Sequence, residues 1–402
     1  MKNLLYLFAF IILVASACTT SKGPALVKQW YKGNLHTHSY WSDGDDYPEM
    51  IMDWYKSHDY DFVVLSDHNT LAEGEKWKLL PKSPSHEAAF DKYLAKYGPK
   101  GVVYREDSAG RIEVKLKTLA EYAPMFEEES EFLIIQSQEL SDTFEEKPLH
   151  MNVTNIQTKI DPQGGNSVAE VLQRSLDQVK EQRDSTGVPM FLHINHPNFI
   201  WAITPEDIIK LSGERFFEVY NGHPMVHNYG DSLRPSMEVL WDKVQTAYIQ
   251  ANKPLLYGLA VDDAHNYHVF DENSSNPGRG WVMVLAEKLD PASLVEAMER
   301  GDFYSSTGVS LAEINFDGNN LQVSAKVEEG VTYTIQFFGT KKSNPIASGV
   351  LLKEEKGEKA AYRLEADDLY VRAKIISTKP KENPYKPGDT EVAWTQPVIK
   401  RE

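Results

Sequence analysis

Six of the twelve histidines stand in short patterns with three carboxylates. In chain order these are His36-Thr-His38, Ser42-Asp43-Gly44, Ser66-Asp67-His68, Glu139, His150, Asn195-His196-Pro197 and Asp263-Ala-His265. Imidazole and carboxylate together ligate catalytic transition metals, and a set of this size exceeds what a structural site needs. In an extended strand residues i and i+2 share a face, so His36 with His38, and Asp263 with His265, can each grip one ion. Ser66-Asp67-His68 follows the apolar run Phe62-Val-Val-Leu65, Glu139 follows Phe132-Leu-Ile-Ile135, and His196 follows Phe191-Leu192. Each therefore falls where a parallel strand delivers its C-terminal end, the active-site rim of α/β barrels.

The elements that must position these residues follow from periodicity. From residue 33 to about 300, apolar runs at 32–36, 61–66, 132–138, 149–154, 189–194, 215–220 and 255–261 read as strands. Amphipathic helices fill several gaps. Pro48 opens one with Ile51, Trp54, Tyr55 and His58 on one face; Ser167 and Glu170 form a capping signature before Val168, Leu172, Leu176 and Val179; another near 236–252 aligns Leu240, Val244 and Tyr248. Strand–helix repetition predicts parallel pairing, and seven strands can close into a barrel. The stretch 71–131 is long for a connection and holds a hairpin turning at Ser108-Ala109-Gly110; it reads as an insertion and a candidate lid. After Gly308 the pattern changes to short strands separated by Gly, Asn, Lys and Pro, the signature of a small antiparallel, sandwich-like domain.

At these motifs the chain resembles the polymerase and histidinol phosphatase (PHP) family. The residues that carry the likeness are Asn34-Leu-His-Thr-His-Ser39, Ser42-Asp-Gly44, Ser66-Asp-His-Asn69, Phe217-Glu-Val-Tyr-Asn-Gly-His223, Asp263-Ala-His265 and Gly301-Asp-Phe-Tyr-Ser-Ser-Thr-Gly308. Within that family it looks closest to an exported, carbaryl-hydrolase-like branch with an added C-terminal β-domain. The resemblance implies an α/β fold: a distorted seven-stranded (β/α)7 barrel over 30–308, then a small all-β sandwich-like domain over 309–402. It implies two or three divalent ions (Mn, Fe or Zn). One site would use His36, His38, Glu139 and Asp263; a second His150 and His196 with Glu139 bridging; a third Asp43, His68 and His265. Val261-Asp262 ahead of Asp263 departs from the family pattern and leaves Asp262 as an alternative, although only Asp263 stands two residues from His265.

Two ions about 3.5–4 Å apart can share a hydroxide that attacks phosphorus or a carbonyl carbon, with no serine or cysteine nucleophile. Weaker candidates surround that centre. Asp67 could orient a ligating histidine, His223 could donate a proton or contact substrate, and Asn221 lies in the same segment as a substrate contact. Arg279, in Asn276-Pro-Gly-Arg-Gly-Trp281, could clamp a phosphate as a planar fork. His58, His86, His193, His227 and His268 have no matching partners and read as structural.

The ends and the charge bound the setting. Lys2, the apolar run Leu4–Val14 and Ala15-Ser-Ala-Cys18 read as a lipoprotein signal segment, followed by a tether over 19–29. Lipidation of Cys18, the only cysteine, would anchor an exported, periplasm-facing protein; an ordinary signal peptide with an incidental cysteine is the alternative. A net charge of −17 argues against nucleic-acid polymers. The expectation is a phosphoesterase acting on a small organic phosphate mono- or diester. A carboxylic ester, carbamate or amide hydrolase on the same site is the second reading, and a non-enzymatic binding lipoprotein the third.

Overall fold

The computed structural model describes residues 27–400. Cys18, the signal segment and most of the tether lie outside the described residues. Among the described residues no helix is long and apolar enough to cross a membrane.

The chain is mixed α/β, built on one thirteen-stranded sheet and two three-stranded sheets. One arc of the large sheet runs Tyr257–Val261, Phe216–Asn221, Phe191–Ile194, Lys147–Thr154, Leu133–Phe144, Phe62–Leu65, Gln29–Asn34. Its two ends meet: a parallel bridge joins Thr37 to Ala264, His38 N–H donates to Ala264 O at 2.9 Å, and Asp263 N–H to His36 O at 3.0 Å. Strands covered on both faces carry unbroken apolar runs, as in Phe62-Val-Val-Leu65, where all four residues are buried. The helices turn their apolar faces onto this arc. In Pro48–Ser57 proline occupies the first turn, where its missing N–H is not needed, and Ile51, Met52 and Tyr55 are buried. In Val168–Thr186 Ser167 accepts from Glu170 N–H, and Gly187 ends the helix in the left-handed region.

Pairing is not uniformly parallel, contrary to the strand–helix expectation. Leu133–Phe144 and Lys147–Thr154 form an antiparallel hairpin, and Lys147–Thr154 is also antiparallel to Phe191–Ile194. The turn is Glu145-Glu146, with Glu145 at φ 55°, and it carries none of the Asn-Gly chemistry that announces hairpins. Glu139 therefore sits inside a long strand rather than at its end, directly across from Asn152. Two further strands, Trp281–Ala286 and Phe303–Ser306, extend the sheet beyond Gln29–Asn34.

The sheet then continues through Thr390–Thr395, Asp368–Pro380, Tyr333–Lys341 and Val350–Lys356. A separate sheet of Leu311–Phe316, Asn320–Ala325 and Lys359–Arg363 shares one apolar core with these strands, including Leu321, Val323, Ile335, Phe337, Val371 and Ile375. A buried polar network ties this half to helix Met237–Gln250. Arg372 donates to both oxygens of Asp242 at 2.9 and 2.6 Å, Tyr370 OH donates to Asp242 at 2.7 Å, and Lys374 donates to Glu238 at 2.5 Å. The 71–131 stretch folds into helix Pro84–Gly101 and strands Trp77–Leu79, Tyr104–Glu106 and Ile112–Lys115. It packs Leu80, Phe90, Tyr93, Val114 and Leu116 against Tyr40, Trp41 and Tyr47, the loop that carries Asp43.

Candidate metal centre

All nine residues expected from sequence as metal ligands lie in one cluster at the end of the arc. His36 and His38 leave the Gln29–Asn34 strand, and Asp263 and His265 leave Tyr257–Val261 beside them through the bridge at Thr37 and Ala264. Asp263 adopts φ 51°, a left-handed conformation that is costly for a non-glycine residue and recurs at functional sites. Glu139 meets His68 through another parallel bridge.

The central geometry is convergent. His36 Nε2 and His38 Nε2 are 3.1 Å apart, and Asp263 Oδ1 lies 3.2 and 3.3 Å from them. Glu139 places Oε1 3.5 Å from His36 Nε2 and Oε2 3.3 Å from His38 Nε2. For bonds of about 2.0–2.1 Å, the edges of a tetrahedral ligand set are about 3.3–3.4 Å, which these separations match. Glu139 Oε2 is buried without a hydrogen-bond partner, a cost that an ion in this position would remove. On one flank His68 Nδ1 lies 2.9 Å from Glu139 Oε2 and His150 Nδ1 3.1 Å from Oε1, while His196 Nε2 is 3.8 Å from both Glu139 and Asp263. His150 and His196 thus both approach Glu139 Oε1, as the second expected trio requires, while His150 also groups with His68 and His196 with His36 and Asp263. On the other flank Asp43 stands 3.4 Å from His265, 3.6 Å from His68 and 3.7 Å from His38.

The electrostatics are divided: burial opposes the charged forms of His36, His68 and His265, yet Asp263, Glu139 and Asp43 respectively outweigh it and raise all three, His68 to about 9. Burial, reinforced by His265 and His68, depresses His38 to about 3, so its imidazole is neutral and free to ligate. Burial opposes ionisation of Glu139, but His68, His150 and His36 outweigh it and hold the carboxyl well below its usual range. Burial and His36 act in the same opposition on Asp263, again with a low result.

Glu218 and Asn195 belong to the site although the residue patterns assign them no role. Glu218 is fully buried. It accepts from His36 Nδ1 at 2.7 Å, His196 N–H at 2.7 Å and Asn221 Nδ2 at 2.8 Å, with His193 Nε2 at 3.3 Å. Burial raises its pKa, and His36 and His193 bring it down to about 2. Its bond to Nδ1 turns His36 Nε2 toward Glu139 and Asp263, the role of a carboxylate behind a ligating histidine. Asn195 donates to Glu139 Oε1 at 2.7 Å. The available signal for Glu218 is one acid inside the apolar run Phe216-Phe217-Glu218-Val219-Tyr220. His193 is likewise a partner of Glu218 rather than an isolated core histidine.

Several expected roles are corrected. Asp67 reaches a histidine only through Ser42, whose Oγ donates to it at 2.6 Å and lies 3.4 Å from His38 Nδ1; it also accepts from Ser39 N–H and Oγ at 2.8 Å each, and so braces the loop that carries Asp43. Asn221 is fully buried and its amide is spent on Glu218, Asp263 and His223 N–H, which leaves nothing for substrate. Arg279 is fully buried too, its guanidinium donating to the carbonyls of Gly222, Ser274 and Asp271, so it is a loop clamp and not a phosphate fork. Asp262 faces away, accepting from Tyr55 OH and the Arg279 and Gly280 amides; Asp263 is the residue in the cluster. His223 remains at the cluster's edge, its ring 5.6 Å from that of His265. Of the histidines read as structural, His58 stacks on Trp54, His86 bonds Tyr40, His227 stacks on Trp201 and His268 meets Asp46.

No family model matches this chain, and no curated protein matches it. Among solved structures it is similar to a two-domain protein from Bacteroides vulgatus ATCC 8482 containing a predicted PHP-like metal-dependent phosphoesterase, at 13% identity and TM-score 0.41, over 92% of this chain and 96% of that one. It is also similar to an amidohydrolase from Chromobacterium violaceum, solved with bound sulfate and no metal, at 13% identity and TM-score 0.28, over 58% of this chain and 87% of that one. At such identities and scores, the chemistry of this chain rests on its own residues.

Proposed function

We propose that this protein is a metal-dependent hydrolase of the PHP type, on a closed seven-strand barrel with a sandwich-like C-terminal half, acting on a small phosphate ester. The observation that carries the reading is the convergence of His36 Nε2, His38 Nε2, Asp263 Oδ1 and the Glu139 carboxylate at tetrahedral edge lengths, with Glu139 Oε2 otherwise orphaned. These four residues would hold one ion. Glu139 would be shared with the His68, His150 and His196 flank, and Asp43 with His68 and His265 would form the outer position. Bound divalent ions supply Lewis acidity and a nucleophile at neutral pH.

The chain's own groups do the rest. Glu218 fixes His36, Asn195 fixes Glu139, and Asp67 fixes the Asp43 loop. His223 Nδ1 accepts from Met225 N–H at 3.2 Å, so the neutral ring carries its proton on Nε2 and can donate to a substrate oxygen. A carboxylic ester or amide substrate is the second reading, favoured by the burial of Arg279 on backbone carbonyls, which removes the expected phosphate clamp. Tethering through a lipidated Cys18 on the periplasmic side is part of the same proposal.

The test is hydrolysis of matched nitrophenyl phosphomonoester, phosphodiester and carboxylic ester by manganese-loaded protein, with and without chelator. Chelator-sensitive turnover of a phosphate ester alone is the expected result. Turnover of the carboxylic ester alone moves the protein to the second reading. Protein that binds no divalent metal overturns both.

A further inference from the structure

Beside the cluster, two loops expose apolar side chains, one of them at a conformational cost. The antiparallel bridge between Phe199 and Val226 sets Ile200 next to Met225, and these side chains are 55% and 53% exposed. Ile200 lies at φ 50° and Trp201 at φ 59°, with the ligand candidate His196 in the same turn at φ 22°. A β-branched residue in the left-handed region is a genuine outlier, and glycine would relieve it. Here the outlier is an isoleucine outside the buried core, with just over half of its surface exposed, so core packing does not account for the strain; outliers of this kind concentrate at functional sites.

The surroundings hold the segment rigid. Asn198, 3% exposed, donates to His227 O at 3.0 Å and Pro235 O at 2.9 Å. Trp201 is backed by the His227 ring at 4.4 Å and the Arg234 guanidinium at 3.8 Å. Phe199 connects the ledge to the chemistry, its ring lying 5.0 Å from that of His196, 5.7 Å from His223 and 6.3 Å from His150. Arg234 is occupied by Asp231 and Trp201, and Arg279 by carbonyls, so neither arginine offers this flank a free charge.

We propose that Phe199, Ile200 and Met225 form a specificity subsite for the non-reacting part of the substrate, and that this part is apolar. The inference rests on the metallohydrolase reading and deepens it by naming the substrate's second half. Rigid apolar surface beside a reacting centre binds the remote group and spends that binding on placing the scissile bond.

The test is calorimetric binding of two acid pairs to the manganese-loaded protein: phenylphosphonate against methylphosphonate, and benzoate against acetate. In at least one pair the phenyl member binds roughly tenfold more tightly or better, as burial of a ring in an apolar site requires. Ile200→Gly reduces that preference to within about twofold while raising the melting temperature, because strain is relieved as the contact is lost. The double variant Ile200→Ser/Met225→Ser, checked for metal content, loses it as well. A preference seen only between benzoate and acetate keeps the subsite and removes the phosphate reading. Equal binding of phenyl and methyl members, a preference that both variants retain, or no binding of any probe overturns the subsite. So does retained preference with loss of co-sedimentation on anionic phospholipid vesicles, which makes the ledge a membrane contact.

Discussion

Two of the buried clusters of charge among the described residues keep opposite accounts. At the junction of helix Met237–Gln250 with the C-terminal strands, Arg372 and Tyr370 saturate both oxygens of Asp242, and Lys374 takes Glu238. That network is closed: donors face acceptors, and Arg372 is 1% exposed without asking for anything further. At the candidate metal centre, imidazoles and carboxylates crowd together with no lysine or arginine among them. Two imidazole nitrogens stand 3.1 Å apart, and a buried Glu139 oxygen has no hydrogen bond. Burying charge in the first way contributes architecture; burying it in the second way leaves compensation to protons on the imidazoles or to a bound cation. Which side of a buried cluster is left incomplete is thus a better guide to chemistry than how many charges it holds.

That contrast can be broken, and the largest lever is the centre itself. Asp263→Ala should abolish metal retention at the inner position and lower turnover about a thousandfold or more, the several kcal/mol that Lewis-acid stabilisation supplies. Metal analysis beside steady-state kinetics checks it, and full metal content in the variant would move the site elsewhere. Next in size, Arg372→Met leaves Asp242 buried and uncompensated and should cost about 3–5 kcal/mol of stability, with turnover per folded molecule unchanged. Chemical denaturation reads the first quantity and active-site-normalised rates the second. The double change Arg372→Met/Asp242→Leu should return most of the loss; no recovery would mean that the network is not closed on itself.

A finer distinction separates holding a ligand from being one. Glu218→Gln preserves shape but weakens the acceptor behind His36, and metal affinity should fall roughly ten- to a hundredfold in a metal-buffered titration. An unchanged affinity would return Glu218 to the structural class with Asp242. The smallest expected effect is at Arg234, which is exposed and paired to Asp231 in the manner of a surface ion pair. Arg234→Ala should cost less than about 1 kcal/mol and leave KM for a phosphate ester within about twofold. A much larger rise in KM would make Arg234 a phosphate contact after all.

Six of the nine ligand candidates carry local signals: His36 with His38 and Asp263 with His265 as i, i+2 pairs leaving strands, and His68 and His196 just beyond apolar runs; Asp43, Glu139 and His150 are assigned by the family resemblance. What stayed hidden depends on contacts across the chain. Glu218 serves His36 from 182 residues away, and only its intrusion into an apolar strand hints at it. The hairpin through Glu145-Glu146 was invisible because hydrophobic runs carry no direction, and this turn uses neither Gly nor Asn. Arg279 misled for a related reason. A glycine-flanked arginine looks like an anion clamp, but here Gly280 lets the backbone press against Val261, where a Cβ would sit 2.8 Å from its carbonyl oxygen, and the guanidinium turns inward. Phe62–Leu65 was placed to within a residue because its apolar run is short and uninterrupted.

The pairing of Phe303–Ser306 with Thr390–Thr395 bears on the order in which this molecule can be made. Thr307 and Val392, which exchange hydrogen bonds across that seam, are separated by 85 residues. A chain emerging at about 5–20 residues per second therefore shows the open edge of Phe303–Ser306 for several seconds before its partner arrives. During that interval the strand is a template for any other extended segment nearby. Slowing or pausing emergence between these two strands should raise aggregation without altering a single contact of the finished protein, so the seam is a point of vulnerability in time rather than in energy.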